Sequence, residues 1–376
     1  MKIGYGITAF QKTKEPRGTD GIGEYTLKLG KEIKALSCCE IHPVSFINDE
    51  TDNQLGNSHY IGQHKTQLMK SLTTGLAFDN QHQLTNKIDI FHATDHYIPK
   101  FRNFPVVATI HDVIPLTNPD WFSRTQRIYH QLLKRSMKWA DHIITVSDFS
   151  KSEICKELCV SPDKISVVYN GYDKIWEQVD SKSQIKSIFE KYSISTPYII
   201  FVGTIQRRKN LKTLVEAIEL LPNDIKNTFK LIVVGNQSVR DKVEIENLKK
   251  FVNTQKIQWL KWVPTPHLKT LVKQATCLVF PSLAEGFGLP IIEAFAAGTP
   301  VVAAQNTSIP EITKNAALLF PGENPSILSK NLENLLTDKG LQKQLIIKGK
   351  KRAKDFSWEK AAIQTKDIYR NTLLKY

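Results

Sequence analysis

Two acidic residues, Glu285 and Glu293, lie in a segment whose residue types could bind a ligand rich in hydroxyl groups. Residues 280–303 have the sequence FPSLAEGFGLPIIEAFAAGTPVVA, which predicts a strand, a glycine turn, a helix from Leu289 and a second strand. A helix that follows a glycine turn exposes its first amides, and this favours an anionic ligand. Glu293 would lie inside the helix, ~6 Å beyond Glu285. The two carboxylates are therefore expected to contact different parts of one ligand, such as the vicinal hydroxyls of a ribose or a sugar.

Three consecutive cations, Arg207, Arg208 and Lys209, form the second candidate. They follow the apolar stretch YIIFV and the turn residue Gly203, and they precede an amphipathic helix that is expected to begin near Asn210. Cations at a helix start combine positive charge with amide donors, which suits a diphosphate. A solvated basic loop is the alternative. Each acid of the first segment, taken alone, is also compatible with a solvated charge or with a charge that complements a helix dipole.

His111 and Asp112 form the third candidate, at the end of an apolar run in the sequence FPVVATIHDVIPL. This run and the preceding IDIFHA both predict strands, and open α/β sheets bind ligands at the carboxyl ends of parallel strands. A neutral histidine there can offer one nitrogen to a ligand while Asp112 or a backbone carbonyl orients the other. A structural histidine that caps a strand end is the alternative. His92 and His96 lack a third residue at metal-ligand spacing, so no metal site is expected.

The elements that position these residues alternate between strands and helices along the chain. Residues 1–10 predict a buried first strand, and a polar loop with Gly21 and Gly23 leads into a helix with an apolar face. These glycines lack the spacing of a dinucleotide-binding fingerprint. A polar interval separates an expected domain at 1–175 from a second domain at 190–356, which includes a helix over VEIENLKKFV. The pattern predicts an α/β fold of two doubly wound, Rossmann-like domains with a cleft between them.

Charge narrows the classes of partner. The 376 residues carry a formal net charge of +14 with a pI near 9.4, which favours nucleic acid, an anionic lipid surface or a phosphorylated substrate. The chain has no zinc-finger spacing, RNP-like aromatic motif or basic tail, so nucleic acid is not expected. Residues 123–139 combine cations with Ile128, Leu132, Leu133 and Met137. This pattern is typical both of a membrane-surface helix and of a sheet-covering helix with a solvated face.

Cysteine usage and hydropathy indicate the compartment. Five cysteines without CxxC spacing predict neither a disulfide framework nor a zinc site, and they favour a reducing cytoplasm. The sequence MKIGYGITAF has too short an apolar run for a signal peptide, and no later segment has the roughly 18 apolar residues of a membrane span. A cytoplasmic location is therefore expected.

Residues 280–303 as a whole resemble the signature of retaining glycosyltransferases with the two-domain GT-B architecture, family four in particular. The TIHDVIP sequence around His111 and the sequences GTIQRRKN and DGIGEYT resemble further motifs of that family. The chain departs from the family pattern where Gln206 and Arg207 replace the usual Glu and Pro, but both following cations are kept. The resemblance covers nearly the whole chain. It implies the GT-B fold, with a C-terminal helix at 357–376 that packs back on the first domain.

The resemblance also implies roles for single residues. Glu285 and His111 would be the catalytic residues beside the transferred sugar, and Glu293 would hold the nucleotide ribose. Gly21 and Gly23 would lie in a loop near the donor phosphates or the acceptor. Two further groups would contact the donor, namely Arg208, Lys209, Gly288 and Leu289 at its phosphates, and Gly286, Phe287 and Asp112 at its sugar.

The activity implied is the retaining transfer of a hexose from a nucleotide diphospho-sugar to a hydroxyl acceptor. No metal ion or other cofactor is expected, because Arg208 and Lys209 would stabilise the leaving diphosphate. The motifs resemble most those of bacterial mannosyltransferases that build surface polysaccharide, which implies GDP-mannose as donor. The implied acceptor is a glycan or lipid-linked glycan, with peripheral contact at the inner face of the cytoplasmic membrane. Other UDP-, GDP- or dTDP-sugars remain alternatives, as do an epimerase or phosphorylase on this scaffold and a non-catalytic sugar-nucleotide-binding subunit.

Overall fold

The chain divides into two compact units, each built on its own sheet. The computed structural model describes residues 1–12, 20–48, 54–195, 197–237, 246, 248 and 257–376. One unit combines Met1–Gly171 with Ser357–Tyr376, and the other is formed by Tyr172–Phe356. The last segment of the chain thus belongs to the same unit as the first.

The first unit contains a parallel sheet whose strand order is β3-β2-β1-β4-β5-β6-β7. Its strands are β1 (Lys2–Gly6), β2 (Glu40–Ser45), β3 (His59–Tyr60), β4 (Ile90–Ala93), β5 (Val106–Thr109), β6 (His142–Thr145) and β7 (Ile165–Val167). The order reverses between β1 and β4, which are neighbours in the sheet but far apart in the chain. Such a reversal is the topological switch point at which doubly wound folds bind ligands.

The second unit repeats this plan in the order β10-β9-β8-β11-β12-β13, again with all pairs parallel. Its described strands are β8 (Tyr198–Val202), β9 (Lys230–Val234), β10 (Ile257–Leu260), β11 (Cys277–Phe280), β12 (Val301–Ala304) and β13 (Leu318–Phe320). The switch point here lies between β8 and β11. Strands such as CLVF and VVAA are buried along their full length, as expected for a parallel sheet that is covered on both faces.

Helices connect the strands in both units. The described helices of the first unit are α1 (Thr8–Lys12), α2 (Gly21–Ala35), α3 (His64–Thr74), α4 (Ile114–Thr117), α5 (Arg124–Met137), α6 (Asp148–Leu158) and α15 (Trp358–Lys375). Those of the second unit are α7 (Lys182–Lys191), α8 (Leu211–Glu219), α9 (Asn223–Thr228), α10 (Thr265–Gln274), α11 (Leu289–Ala297), α12 (Ile309–Thr313), α13 (Pro325–Thr337) and α14 (Lys339–Ala353). Among these described helices, none is both long and apolar enough to cross a membrane.

Two expectations for the amino-terminal region are wrong. The strand expected over residues 1–10 ends at Gly6, because the chain turns into α1, where the Gln11 amide donates to the Ile7 carbonyl at 3.1 Å. Gly21 and Gly23, which were expected in a loop, lie instead in the first turn of α2. Residues 13–19 of that loop, and nearly all of the helix expected at VEIENLKKFV, lie outside the described residues.

Candidate active site

The loops that follow β8 and β11 bring two cations and one carboxylate together in the second unit. Arg208 Nη1 lies 2.7 Å from one carboxylate oxygen of Glu285, and Lys209 Nζ lies 2.5 Å from the other. Glu285 and Lys209 are only 7% and 8% exposed. Each oxygen of the carboxylate therefore has its own cation, in a place with little access to water.

The loop after β8 is fastened to the loop after β11 by backbone and amide contacts. The Leu283 amide donates to the Arg208 carbonyl at 2.7 Å. Asn210, in the left-handed conformation with φ of 53°, donates from its side-chain amide to the carbonyls of Pro281 at 3.1 Å and Gly322 at 2.6 Å. Asparagine tolerates this backbone region better than most residues. Asn210 thus fixes the turn that carries both cations.

The electrostatics of Glu285 are set by these partners. Burial alone would raise the pKa of the carboxyl, but Arg208 and Lys209 outweigh it and lower the pKa to about 2. The ammonium of Lys209 also lies 5.0 Å from the centre of the Phe280 ring, within the range of a cation–π contact. Glu285 is consequently ionised at neutral pH. It can accept hydrogen bonds but cannot donate a proton.

Helix α11 begins directly after this carboxylate. Gly288 is its N-cap with φ of 107°, a conformation that favours glycine, and Gly298 ends the helix with φ of 80°. Leu289 is the first helical residue, and the half-buried Glu293 lies in the second turn. The glycine turn and helix expected from the sequence are confirmed as structure, and their ligand contacts remain a prediction.

Phe287 contributes to this turn through its backbone. Its side chain is 4% exposed and packs perpendicular to Phe356, with ring centroids 5.6 Å apart. The ring is therefore part of the core, and any contact of Phe287 with a sugar would come from its main chain. Gly286 has no side chain and could also contribute only main-chain atoms.

Two residues that sequence reasoning missed hold the Glu285 turn from the loop after β12, the strand beside β11. The Glu285 amide donates to the Thr307 hydroxyl at 3.0 Å, and the Ser308 hydroxyl donates to the Glu285 carbonyl at 2.9 Å. Thr307 has φ of 51°, which is unusual for a β-branched residue and indicates local strain. The signal in the sequence was polar residues directly after the buried strand VVAA, at the carboxyl edge of the sheet.

His111 is the corresponding residue of the first unit, two positions beyond the end of β5. Its Nε2 lies 3.0 Å from the Thr94 carbonyl oxygen, and because a carbonyl only accepts, this nitrogen carries the proton. Burial lowers the pKa of His111 despite that hydrogen bond and the nearby Asp112 and Asp20. The neutral ring is thus left with Nδ1 as an acceptor. A backbone carbonyl orients the ring, which was one of the two expected arrangements.

Asp112 has a local role in the structure. Its Oδ1 accepts from the Ile114 amide at 3.1 Å, at the start of the short helix α4. This contact uses one carboxylate oxygen. The expected contact of Asp112 with the donor sugar remains a prediction.

The two glycines expected in a loop near the donor phosphates or the acceptor lie in a helix instead, and their ligand contacts remain a prediction. Asp20 is the N-cap of α2, and its side chain accepts from the Gly23 amide at 2.8 Å. That amide is therefore already engaged, which limits what Gly23 can offer to an anion. Gly21, the first residue of the helix, lies in the first turn, where amides have no intrahelical partner.

The histidines that were considered as metal ligands have other partners. His92 is fully buried, with Nδ1 2.6 Å from the Tyr369 hydroxyl and Nε2 2.8 Å from the Thr109 hydroxyl. His96 packs beside Tyr97. In the part of the chain that the structure describes, there is no group of three His, Cys, Asp or Glu side chains that could hold a metal ion.

Comparison with known proteins supplies the family. The chain matches Glycosyltransferase Family 4 over residues 19–174 and Glycosyl transferases group 1 over residues 184–352. The O-antigen chain mannosyltransferase B of Escherichia coli is 29% identical over an alignment of 387 positions, which covers 98% of this chain and 100% of that protein.

Two solved structures share the fold over nearly the full length. Sucrose-phosphate synthase from Thermosynechococcus elongatus superposes with a TM-score of 0.79 at 19% identity and covers 100% of both chains. The Anabaena protein Alr3699/HepE, in complex with UDP and glucose, has a TM-score of 0.76 at 16% identity and covers 99% of this chain and 100% of its own. With two parallel doubly wound sheets and these sequence matches, the chain belongs to the group 1 glycosyltransferases of family 4, which are retaining enzymes of the GT-B fold.

Proposed function

We propose that this enzyme transfers mannose from GDP-mannose, with retention of configuration, to a glycan or lipid-linked glycan in the synthesis of surface polysaccharide. The Escherichia coli relative, an O-antigen chain mannosyltransferase similar over the whole chain, supports both the sugar and the pathway. A UDP-sugar is the competing donor, because the Anabaena structure is bound to UDP and glucose. The reaction proposed is the same for either donor.

The observation that carries the proposal is the cluster of Arg208, Lys209 and Glu285. Departure of a nucleoside diphosphate builds negative charge on a phosphate oxygen, and two fixed cations, the buried Lys209 and the partly exposed Arg208, would stabilise that charge. The amides of Gly288 and Leu289 at the start of α11 would add neutral donors to the same phosphates. Arg208 and Lys209 thus supply the positive charge that a divalent metal supplies in other transferases, and we propose that the reaction needs no metal.

Glu285 and His111 position the sugar in this proposal. Glu285, with a pKa of about 2 and both oxygens held by cations, is a weak base and a weak nucleophile, but it accepts hydrogen bonds from sugar hydroxyls well. His111 offers Nδ1 to another hydroxyl of the transferred sugar. Backbone groups of Gly286 and Phe287 and the side chain of Asp112 would complete the sugar contacts.

Retention follows from a same-face displacement. The bond between the anomeric carbon and the diphosphate oxygen breaks, and the acceptor oxygen forms its bond to that carbon from the same side. The acceptor proton passes to the departing phosphate oxygen, so no protein base is needed. Glu293, one turn inside α11, would hold the ribose of the nucleotide through its hydroxyls.

A basic stripe on α5 supports contact with the membrane that would carry a lipid-linked acceptor. Leu133, Ser136 and Met137 bury one face of the helix. The opposite face is exposed and carries Ile128, which is 58% exposed, together with the cations Arg124, Arg127 and Arg135, and the exposed Lys138 follows at the C-cap. A cationic face with an exposed aliphatic residue suits anionic headgroups. Residues 123–139 can then be a helix that packs on the fold through one face and contacts a membrane surface through the other.

Vesicle sedimentation would test this contact. Replacing the four cations of the stripe by glutamine should abolish binding to vesicles with anionic lipid. Wild type should not bind purely zwitterionic vesicles. Replacing four exposed lysines elsewhere, Lys31, Lys186, Lys212 and Lys330, keeps the change in net charge equal and should leave most of the binding. Equal loss in both variants would contradict a role for α5 and indicate a general effect of charge.

The proposed reaction is tested by turnover of a panel of nucleotide sugars in EDTA, with and without a lipid-linked glycan acceptor. Wild type should consume GDP-mannose, while Glu285→Gln and Lys209→Met should lose at least about a hundredfold in rate. Lys212→Met, which removes an exposed lysine three positions along the chain, is the control and should retain full activity. Consumption of a UDP-sugar instead would correct the donor. Binding without turnover of any donor would favour a non-catalytic sugar-nucleotide-binding subunit.

A further inference from the structure

A chain of buried hydrogen bonds runs through the first unit from the C-terminal helix to the neighbour of His111. It begins at the Tyr369 hydroxyl of α15, which lies 2.6 Å from His92 Nδ1. His92 Nε2 is 2.8 Å from the Thr109 hydroxyl, which in turn is 2.7 Å from the Tyr25 hydroxyl. The side chains of His92, Thr109 and Tyr369 are fully buried, and Tyr25 is 1% exposed.

Tyr25 is the member of this chain that contacts His111. Its ring lies perpendicular to the imidazole, with centroids 4.6 Å apart. A second contact joins the Tyr25 ring to Trp358, the first residue of α15, at 5.9 Å between centroids. Trp358 is itself fixed by close approach to Gly171, where an added Cβ would lie 2.1 Å from the Trp358 amide nitrogen. The C-terminal helix therefore contacts the Tyr25 ring directly through Trp358 and reaches the Tyr25 hydroxyl through His92 and Thr109.

The orientation of the His111 ring needs such support. The torsion that rotates an imidazole about its bond to Cβ is broad, so the rotamer alone does not fix the direction of Nδ1. The hydrogen bond to the Thr94 carbonyl fixes one side of the ring, and Thr94 is anchored by its own hydroxyl, which donates to the Gly6 carbonyl at 2.7 Å. The perpendicular ring of Tyr25 restrains rotation about that hydrogen bond.

The polar character of the chain also needs an explanation. Apolar residues of similar shape could fill this space without the cost of desolvating three hydroxyls and an imidazole. Buried hydrogen bonds that are fully paired specify one arrangement of the side chains. In this unit the arrangement that they specify is the position of the Tyr25 ring against His111.

We propose that Tyr25 is a positioning residue for His111, and that the C-terminal helix takes part in the reaction by holding Tyr25 through Tyr369 and Trp358. The inference rests on the proposed role of His111 beside the transferred sugar. Displacement of a reacting group by about 1 Å can cost about a hundredfold in rate. Loss of this support is therefore expected to lower kcat more than it raises the donor KM.

The test uses Tyr25→Phe, Tyr25→Leu and Tyr369→Phe in the full-length enzyme, with the donor that wild type consumes. The two hydroxyl deletions should lower kcat about tenfold and Tyr25→Leu about a hundredfold, with donor KM within about twofold of wild type. Tyr198→Phe is the matched control, because it removes a buried tyrosine hydroxyl that donates to the Leu271 carbonyl at 2.7 Å in the second unit. It should leave kcat unchanged.

A measurement without substrate separates this inference from the proposed function. The ring nitrogens of His111, observed by ¹⁵N NMR of the free protein, should show a single Nε2-protonated form in wild type. Tyr25→Leu should give averaged nitrogen shifts, which show that the ring has lost its fixed orientation. Unchanged shifts in Tyr25→Leu, or a kcat within about twofold of wild type in all three variants, would overturn the positioning role. If His111→Ala itself keeps full activity, the proposed role of His111 fails instead.

Discussion

The two units share one strand order and differ in the chemistry that they place at the switch point. In the second unit the loops after β8 and β11 carry Arg208, Lys209 and Glu285, three charges that neutralise one another only in part. In the first unit the residues that directly follow β4 and β5 include no lysine or arginine, and the neutral His111 is held by the Thr94 carbonyl with Asp112 beside it in the chain.

This difference shows how one scaffold divides the work of a group transfer. A net positive site favours a diphosphate and lowers the energy of its departure. A site without a cation and with a directed acceptor discriminates among hydroxyl groups without attracting phosphate. In each unit the fold supplies the position, and a few side chains decide which part of a donor that position can bind.

The largest expected effect breaks the charged site. Lys209→Met leaves the buried Glu285 carboxylate with one cation fewer, and loss of one member of a buried ion pair typically costs about 3–5 kcal/mol in the free energy of unfolding. The double variant with Glu285→Gln should recover most of that stability and none of the activity. Urea denaturation measures the stability of both variants, and donor turnover measures their activity.

The control for that experiment is an exposed pair of the same unit, Lys330 and Glu333, whose nitrogen and oxygen lie 3.1 Å apart. Lys330→Met should cost less than about 1 kcal/mol. A double variant at Lys209 and Glu285 that is no more stable than Lys209→Met would show that the two side chains do not stabilise each other.

The second prediction separates the two units by ligand. Arg208→Ala should weaken the binding of GDP by about tenfold to a hundredfold, because it removes a charged donor worth about 1.5–3 kcal/mol. His111→Ala should change GDP affinity by less than about threefold, since GDP lacks the sugar that His111 is proposed to contact. Isothermal titration calorimetry measures both affinities. A large loss in His111→Ala would contradict the division between a cationic site for phosphates and a site without cations for the sugar.

The third prediction concerns pH. Burial lowers the pKa of His92 to about 3 from an ordinary value of 6.5, so the folded state keeps this imidazole neutral while the unfolded state takes up a proton below pH 6.5. The free energy of unfolding should therefore fall between pH 6.5 and pH 3, by up to about 1.4 kcal/mol per pH unit from this group.

His92→Gln should make that decline less steep, whereas the exposed variant His82→Gln should not. The second unit should behave differently, because the pKa of Glu285 lies near 2 and its ion pairs stabilise the fold at all pH values above the ordinary carboxyl value of 4.5. Their contribution should fade only as pH falls from 4.5 towards 2. A slope that is identical in wild type and His92→Gln would contradict this assignment.

The smallest effect is expected to be equal in the two units. Among the described helices, each unit has one with a capping box, at Ser123 with Gln126 and at Ser181 with Gln184. Replacing either serine by alanine should cost about 0.5–2 kcal/mol in the free energy of unfolding. Denaturation curves for both variants should shift by similar amounts, because this effect depends on local backbone geometry alone. A difference larger than about 1 kcal/mol would indicate contacts beyond the caps.

Local features were predictable from the sequence, and contacts across the sheet were not. The strand, glycine turn and helix around Glu285 follow from apolar runs and from Gly288, because these signals act between residues that are close in the chain. The pairing of Glu285 with Lys209 joins residues 76 positions apart, and it depends on β8 and β11 being neighbours. No local pattern encodes that adjacency.

The errors have two origins, one local and one in the topology. Asp20 was not identified as a helix cap, and Gly21 and Gly23 were therefore placed in a loop rather than a helix. Thr307 and Ser308 were missed because their importance comes from the turn that they touch on another strand. Residue types predicted the chemistry that is available, and the topology decided which groups meet.

The discontinuity of the first unit has a consequence for synthesis on the ribosome. Its last helix, α15, is made only after the whole of Tyr172–Phe356, which at ~5–20 residues per second takes roughly 10–40 s. The second unit is continuous and needs no later segment in order to fold, but the nascent first unit must wait through that interval without the helix that packs on α2 and pairs with His92. The carboxyl-terminal unit can therefore be complete before the amino-terminal one, and that waiting period is when the unfinished unit would need protection by chaperones.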